Sequence, residues 1–239
     1  MVNPEFAKWA KGFSGCDGGN PQGKVWLCGI EYGGTLTEEL PFVPMDVPDC
    51  VGEENYGRAA FLKYHYNWRA IKLLAAFAGD VPSNYETFFR EQSCFDRNSN
   101  YFKLNLFPFA FKDTSHKHWP GWLAKKTGLK TKQEYLEWCV VNRFPLLKEW
   151  VSRYSPRLII CTGKSHLEHF MAAFGTRDEI IENAEAAGKQ IPYFLTNTGR
   201  TLVVIVYFLG GRYGLTADKQ LLTTGKKLAD LERNCFGKK

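Results

Sequence analysis

The first strongly apolar run of the chain covers residues 24–30 (KVWLCGI) and breaks at Gly33-Gly34. A short β-branched stretch ending in glycines predicts a buried strand. Residues 35–57 carry Pro41, Pro44 and Pro48 and show no hydrophobic period. They predict a long loop, of a length that compact domains keep for function or leave disordered. From 58 to 78 apolar residues recur at helical spacing (Phe61, Tyr64, Trp68, Ile71, Leu74, Ala78), and Gly79 supplies the stop. A short helix is expected at 84–92, a strand at 101–107 (YFKLNLF), a loop to about Lys130, and a long helix at 131–154 interrupted near Pro145. Residues 158–162 predict a strand and 165–174 a helix. The strands expected at 192–196 and 202–209 are joined by Asn197-Thr198-Gly199-Arg200, a link short enough for a hairpin. A loop at 210–216 and a closing helix at 217–235 complete the order. Strands alternating with helices predict an α/β fold, a three-layer sandwich around a mainly parallel central sheet.

Composition narrows the class. The 239 residues contain no internal repeat or Ser/Pro-rich linker, which predicts one domain, 1–239. No stretch approaches the roughly 18 unbroken apolar residues of a membrane span, and the first twelve residues lack the pattern of a signal peptide. A soluble, cytoplasmic monomer with no membrane partner is expected. Seven scattered cysteines without a C-x-x-C pair predict reduced thiols, with no disulfide framework and no zinc or iron–sulfur site. The net charge of +6 is unevenly placed. Between Lys24 and Arg58 there are seven acids and no Lys or Arg, which leaves +13 on the rest of the chain. Such a surface suits a polyanion, although basic proteins without such a partner are common.

In parallel α/β sheets ligands sit beyond the carboxyl ends of the strands. Three strand exits therefore draw attention. The first, Gly29-Ile30-Glu31-Tyr32-Gly33-Gly34, sets a carboxylate between glycines; Glu31 reads either as a general base or as an ion-pair or capping residue. The second places Asn105 inside the apolar run 104–107. Its amide either reads the edge of a pyrimidine or ties down a neighbouring loop. Around it, residues 103–132 hold seven lysines against the single acid Asp113, interleaved with His116, His118, Phe107, Phe109, Phe111, Trp119 and Trp122, which reads either as the mixture that a phosphate backbone with exposed bases requires or as a solvated basic loop whose aromatics belong to the core. Lys112, His116 and Lys117 are the candidate DNA contacts of this stretch. The third exit, Gly210-Gly211-Arg212-Tyr213-Gly214-Leu215-Thr216, joins flexible backbone to one cation and an apolar tip. It reads as a phosphate holder with a wedge, or as a glycine-rich turn before a helix.

Three other motifs lack a necessary part. Gly163-Lys164-Ser165 ends like a P-loop, but its earlier glycine position is Leu158. His166 and His169 have no third ligand at suitable spacing. Gly12-Phe13-Ser14-Gly15-Cys16 lacks the closing glycine of a nucleophile elbow.

Together the three exits resemble the uracil-DNA glycosylase superfamily. Gly29-Ile30-Glu31-Tyr32-Gly33 is similar to its early Gly-x-Asp/Asn motif, Leu104-Asn105 to its base-reading strand, and 210–216 to its DNA-entering loop, in the same order. Residues 156–163 (PRLIICTG) are similar to the strand before its last segments. The resemblance implies that Glu31 positions water against the anomeric carbon and stabilises an oxocarbenium-like transition state. It implies that Tyr32, Gly33 and Asn105 surround a flipped base, and that Gly211, Arg212 and Leu215 hold the DNA, with Leu215 filling the vacated stack; the acidic loop reads either as closing over the base, with Phe42 or Tyr56 stacked on it, or as a solvated segment. Position 33 is Gly where uracil-specific members carry Tyr, so a substituent at C5 of the pyrimidine is tolerated. The family's late His-Pro-Ser is replaced by Gly210, Gly211 and Arg212, and Arg212 or backbone amides would take over stabilisation of the departing base.

The function so implied is a monofunctional DNA glycosylase that needs no cofactor and no metal. Its substrate would be uracil, mismatched thymine or a bulky 5-modified cytosine such as glucosylated hydroxymethylcytosine, which leaves repair and phage defence both open. The alternative is a non-catalytic nucleic-acid-binding protein that retains the fold. A third possibility is an enzyme acting on a small phosphorylated nucleotide.

Overall fold

The computed structural model describes residues 1–237 apart from Leu40, residues 52–56, Asp113, Thr114, His116, Lys117, Arg177 and Asp178. Its frame is a seven-stranded sheet. In chain order the strands are β1 (Gly18–Gly19), β2 (Val25–Gly29), β4 (Tyr101–Asn105), β6 (Leu158–Thr162), β7 (Glu182–Ala186), β8 (Lys189–Thr196) and β9 (Thr201–Val206). Two short strands, β3 (Tyr32–Gly33) and β5 (Ala110–Phe111), pair separately. Across the main sheet the order is β1-β4-β2-β6-β9-β8-β7. The central four strands are parallel, and antiparallel strands close both edges.

The central strands are buried on both faces, which is why β2, β6 and β9 are almost continuously apolar rather than alternating, whereas the equally buried β4 (YFKLN) carries Lys103 and Asn105. The two faces still sort residues by parity. Trp26, Cys28, Ile159, Cys161, Val203 and Ile205 face one core, and Val25, Leu27, Leu158, Ile160, Leu202 and Val204 the other. The first core is closed by α1 (Pro4–Ala10), α5 (Gly121–Thr127), α6 (Lys132–Asn142), α7 (Phe144–Tyr154) and α8 (Leu167–Phe174). The second is closed by α3 (His65–Phe77), α4 (Tyr85–Glu91) and α9 (Asp218–Phe236). A single-turn α2 (Arg58–Phe61) precedes α3. No helix among the described residues is long and apolar enough to cross a membrane.

Several expectations are refined. The helix expected at 58–78 is two helices, because Tyr64 takes an extended conformation as the N-cap of α3. The expected break near Pro145 falls at Arg143, between α6 and α7. Arg143 is 1% exposed and donates to the carbonyls of Ala10, Ser14 and Leu106, pinning the N-terminal segment to the end of β4. The stretch expected to be a loop up to Lys130 contains β5 and α5. The hairpin forms as β8 and β9 with Thr196 opposite Thr201, and a further strand, β7, extends it.

Candidate active site

Beyond Gly29 the first two parallel strands stay in step. Phe107 N donates to Ile30 O, and β3 then pairs with β5 in the same direction. This continuation carries Glu31 over the carboxyl edge of the sheet. Its side chain is 5% exposed, and Lys132 Nζ, at the start of α6, donates to Glu31 Oε1 at 3.1 Å. The same ammonium stands 3.9 Å from the centroid of the Phe111 ring. A buried cation is thus compensated by a carboxylate on one side and a π-face on another.

The pair borders a cavity of about 360 Å³ that is also walled by Phe107, Leu136, His166 and His169. That volume lies within the usual range for small-molecule sites. The two imidazoles stand 5.8 Å apart, and His169 meets Phe107 edge-on at 5.4 Å. Burial, reinforced by His169 and then Lys132, holds His166 below the ordinary imidazole value of 6.5. His166 is therefore neutral at pH 7, able to donate one hydrogen bond and accept another. Chemically, the cavity offers a carboxylate that can orient water or face a developing cation, beside a neutral imidazole. Among the described residues no group of three or more His, Cys, Asp or Glu could hold a metal ion.

Asn105 belongs to the other face of the sheet. It is the register partner of Gly29, and a Cβ added to Gly29 would overlap Asn105 Oδ1, so the close approach requires glycine there. The amide Nδ2 donates to Gly15 O at 3.3 Å and to Asp17 Oδ1 at 3.1 Å. Asp17 is also ion-paired with the buried Lys103, whose ammonium burial pushes down to about 7. On the same face Tyr66 of α3 shares a 2.8 Å hydrogen bond with Thr162, and burial holds its phenol above the usual range. The expected convergence of Glu31 and Asn105 in one crevice is therefore corrected. Glu31 faces α6, Asn105 faces α3, and the amide does not wall the Glu31 cavity.

The remaining candidates divide. Tyr32 and Gly33 form β3; Gly33 is exposed, with nothing within 4 Å of an added Cβ. Phe42, expected against a base, instead packs on Phe6, Trp9 and Phe109 at 5.3–6.1 Å between ring centroids, anchoring the acidic loop to α1. Leu215, expected as an exposed wedge, is 1% exposed in the core beneath α3 and α9, with its N–H donating to Phe208 O. The rings that this loop does expose are Phe208, stacked on Tyr66, and Tyr213, 75% exposed beside Arg212. Gly211 and Arg212 are exposed, as is Lys112; Tyr56, His116 and Lys117 lie outside the described residues. The reading by motif missed Lys132, His166 and His169 as neighbours of Glu31. The only signal for them was their residue type, since their convergence depends on how α6 and α8 dock.

No protein-family model and no curated protein sequence matches this chain.

Proposed function

We propose that the protein is a DNA glycosylase that hydrolyses the N-glycosidic bond of an extruded pyrimidine, on a uracil-DNA glycosylase-like variant of the α/β fold. The observation that carries this reading is the buried Glu31 carboxylate, placed just past the end of a central parallel strand and opening on a cavity of about 360 Å³. In the proposed reaction Glu31 orients the attacking water and offsets the positive charge that builds on the sugar. With Asn105 turned to the other face, the polar edge of a base in this cavity meets His166 and Gln133. Gly33 does not line this cavity, so tolerance of a substituent at C5 rests on the resemblance alone, and the candidate substrates are uracil, mismatched thymine and 5-modified cytosines such as glucosylated hydroxymethylcytosine.

The test is incubation with DNA carrying each of these bases, followed by alkaline cleavage to count abasic sites. Cleavage of at least one substrate supports the reading, and none with any of them refutes it. A second reading, a nucleic-acid-binding protein without catalysis, is favoured by one specific observation: Glu31 and Asn105 are each engaged inside the protein, by Lys132 and Asp17. It predicts salt-sensitive DNA binding without base release.

A further inference from the structure

A second cavity, of about 380 Å³, is lined by Phe111, the ring over which the Lys132 ammonium of the Glu31 ion pair stands. Lys132 links the two, since its ammonium touches both Glu31 and the Phe111 ring. The walls of this cavity are of a different kind. They include Phe111, Trp119, Trp122, Lys112 and His118, and none of the described residues among them is a carboxylate. Trp119 is rigidly held: its ring stacks on Tyr135 at 5.3 Å, and its indole N–H donates to Leu129 O at 2.9 Å. Trp122, at the first turn of α5, is half-buried. An unfilled gap in the core would be walled by apolar side chains alone. Here aromatic surfaces meet the Lys112 ammonium, which suits a flat ring attached to an anion.

We propose that this cavity is a stacking subsite for an unpaired nucleotide, its base against Trp119 and Trp122 and its phosphate beside Lys112. The inference rests on the reading of the protein as one that acts on nucleic acid, and it adds a consequence: the strand that delivers a base to Glu31 is gripped at a neighbouring nucleotide while single-stranded. Stacking of this sort tolerates any base, so the subsite supplies grip on an opened strand rather than sequence preference.

The test is an anisotropy titration of the full chain with a labelled single-stranded oligothymidylate and with a duplex of matched length. Trp122→Ala is expected to weaken single-strand binding about tenfold, within the range for loss of one stacked base. Trp122→Phe restores most of it, and the change toward duplex is smaller. Lys112→Glu, at an exposed position where folding is not at stake, weakens single-strand binding and makes its salt dependence shallower. Equal single-strand affinity of wild type and Lys112→Glu, or no binding by wild type, overturns the proposal. So does a folded Trp122→Ala that binds like wild type. Base release is scored in parallel. A wild type that releases no base but binds single strands through Trp122 keeps the subsite and loses the glycosylase; release of base with binding indifferent to Trp122 and Lys112 does the reverse.

Discussion

Lys132 Nζ lies 3.1 Å from Glu31 Oε1, across 101 residues of sequence, with 1% and 5% of the two side chains exposed. A pair buried to that degree is costly to break from one side. Lys132→Met removes the compensating ammonium and is expected to lower stability by about 3–5 kcal/mol, whereas Glu31→Gln with Lys132→Met recovers part of the loss. Urea denaturation of the three proteins checks this. Additive losses would show that the two groups do not interact.

Gly29 and Asn105 make a second close pair. Gly29→Ala forces a methyl against Asn105 Oδ1 and is expected to cost about 1–3 kcal/mol. Asn105→Ala removes the donor to Gly15 O and Asp17, at a cost of about 1–3 kcal/mol. Because truncating Asn105 also makes room for the alanine, the double variant is expected to fall well short of the sum. Thermal melts of the set decide it.

The loop after β9 contains two core residues, Leu209 and Leu215, and two exposed rings, Phe208 and Tyr213. Leu215→Ala is expected to destabilise the fold by about 2–5 kcal/mol while leaving the DNA affinity of the folded protein unchanged. Tyr213→Ala is expected to leave the denaturation midpoint near wild type and to weaken DNA binding. The opposite pattern would restore Leu215 as the contact.

These positions mark what the sequence made legible. The strands β2, β6 and β9 could be read because burial on both faces imposes nearly continuous apolar runs; 158–162 coincides with β6 to the residue. The polar β7, ENAEA, gives no such signal, because it is a largely exposed edge strand held by main-chain pairing to β8. Glu31 was legible because a carboxylate between glycines past a strand is unusual. Its partner was not, since Lys132 looked like one more cation in a basic stretch, and only the docking of α6 turns it inward. Leu215 misled for a related reason: an apolar residue in a glycine-rich loop can face either way, and here the hydrogen bond from its N–H to Phe208 O folds the loop back over the core.

The depressed His166 sets a pH dependence. The unfolded chain takes up a proton near 6.5, while the folded protein resists it because of burial, His169 and Lys132. The unfolded state therefore binds more protons as pH falls below 6.5, and this contribution to stability is lost between 6.5 and the lower folded value. His166→Gln is expected to flatten the stability profile in that window, and the His166 resonance to titrate below 6.5 by NMR. A midpoint at or above 6.5 would contradict the burial argument.

The central claim is that Glu31 does chemistry in its cavity. Its most direct test is the single-turnover rate of base release by wild type and Glu31→Gln on whichever DNA substrate wild type cleaves. Glutamine keeps the size and hydrogen-bonding edge but removes the negative charge, so a fall of about 100-fold or more is predicted, in the range for loss of a positioned acid–base group. A folded Glu31→Gln protein that releases base at the wild-type rate would contradict it.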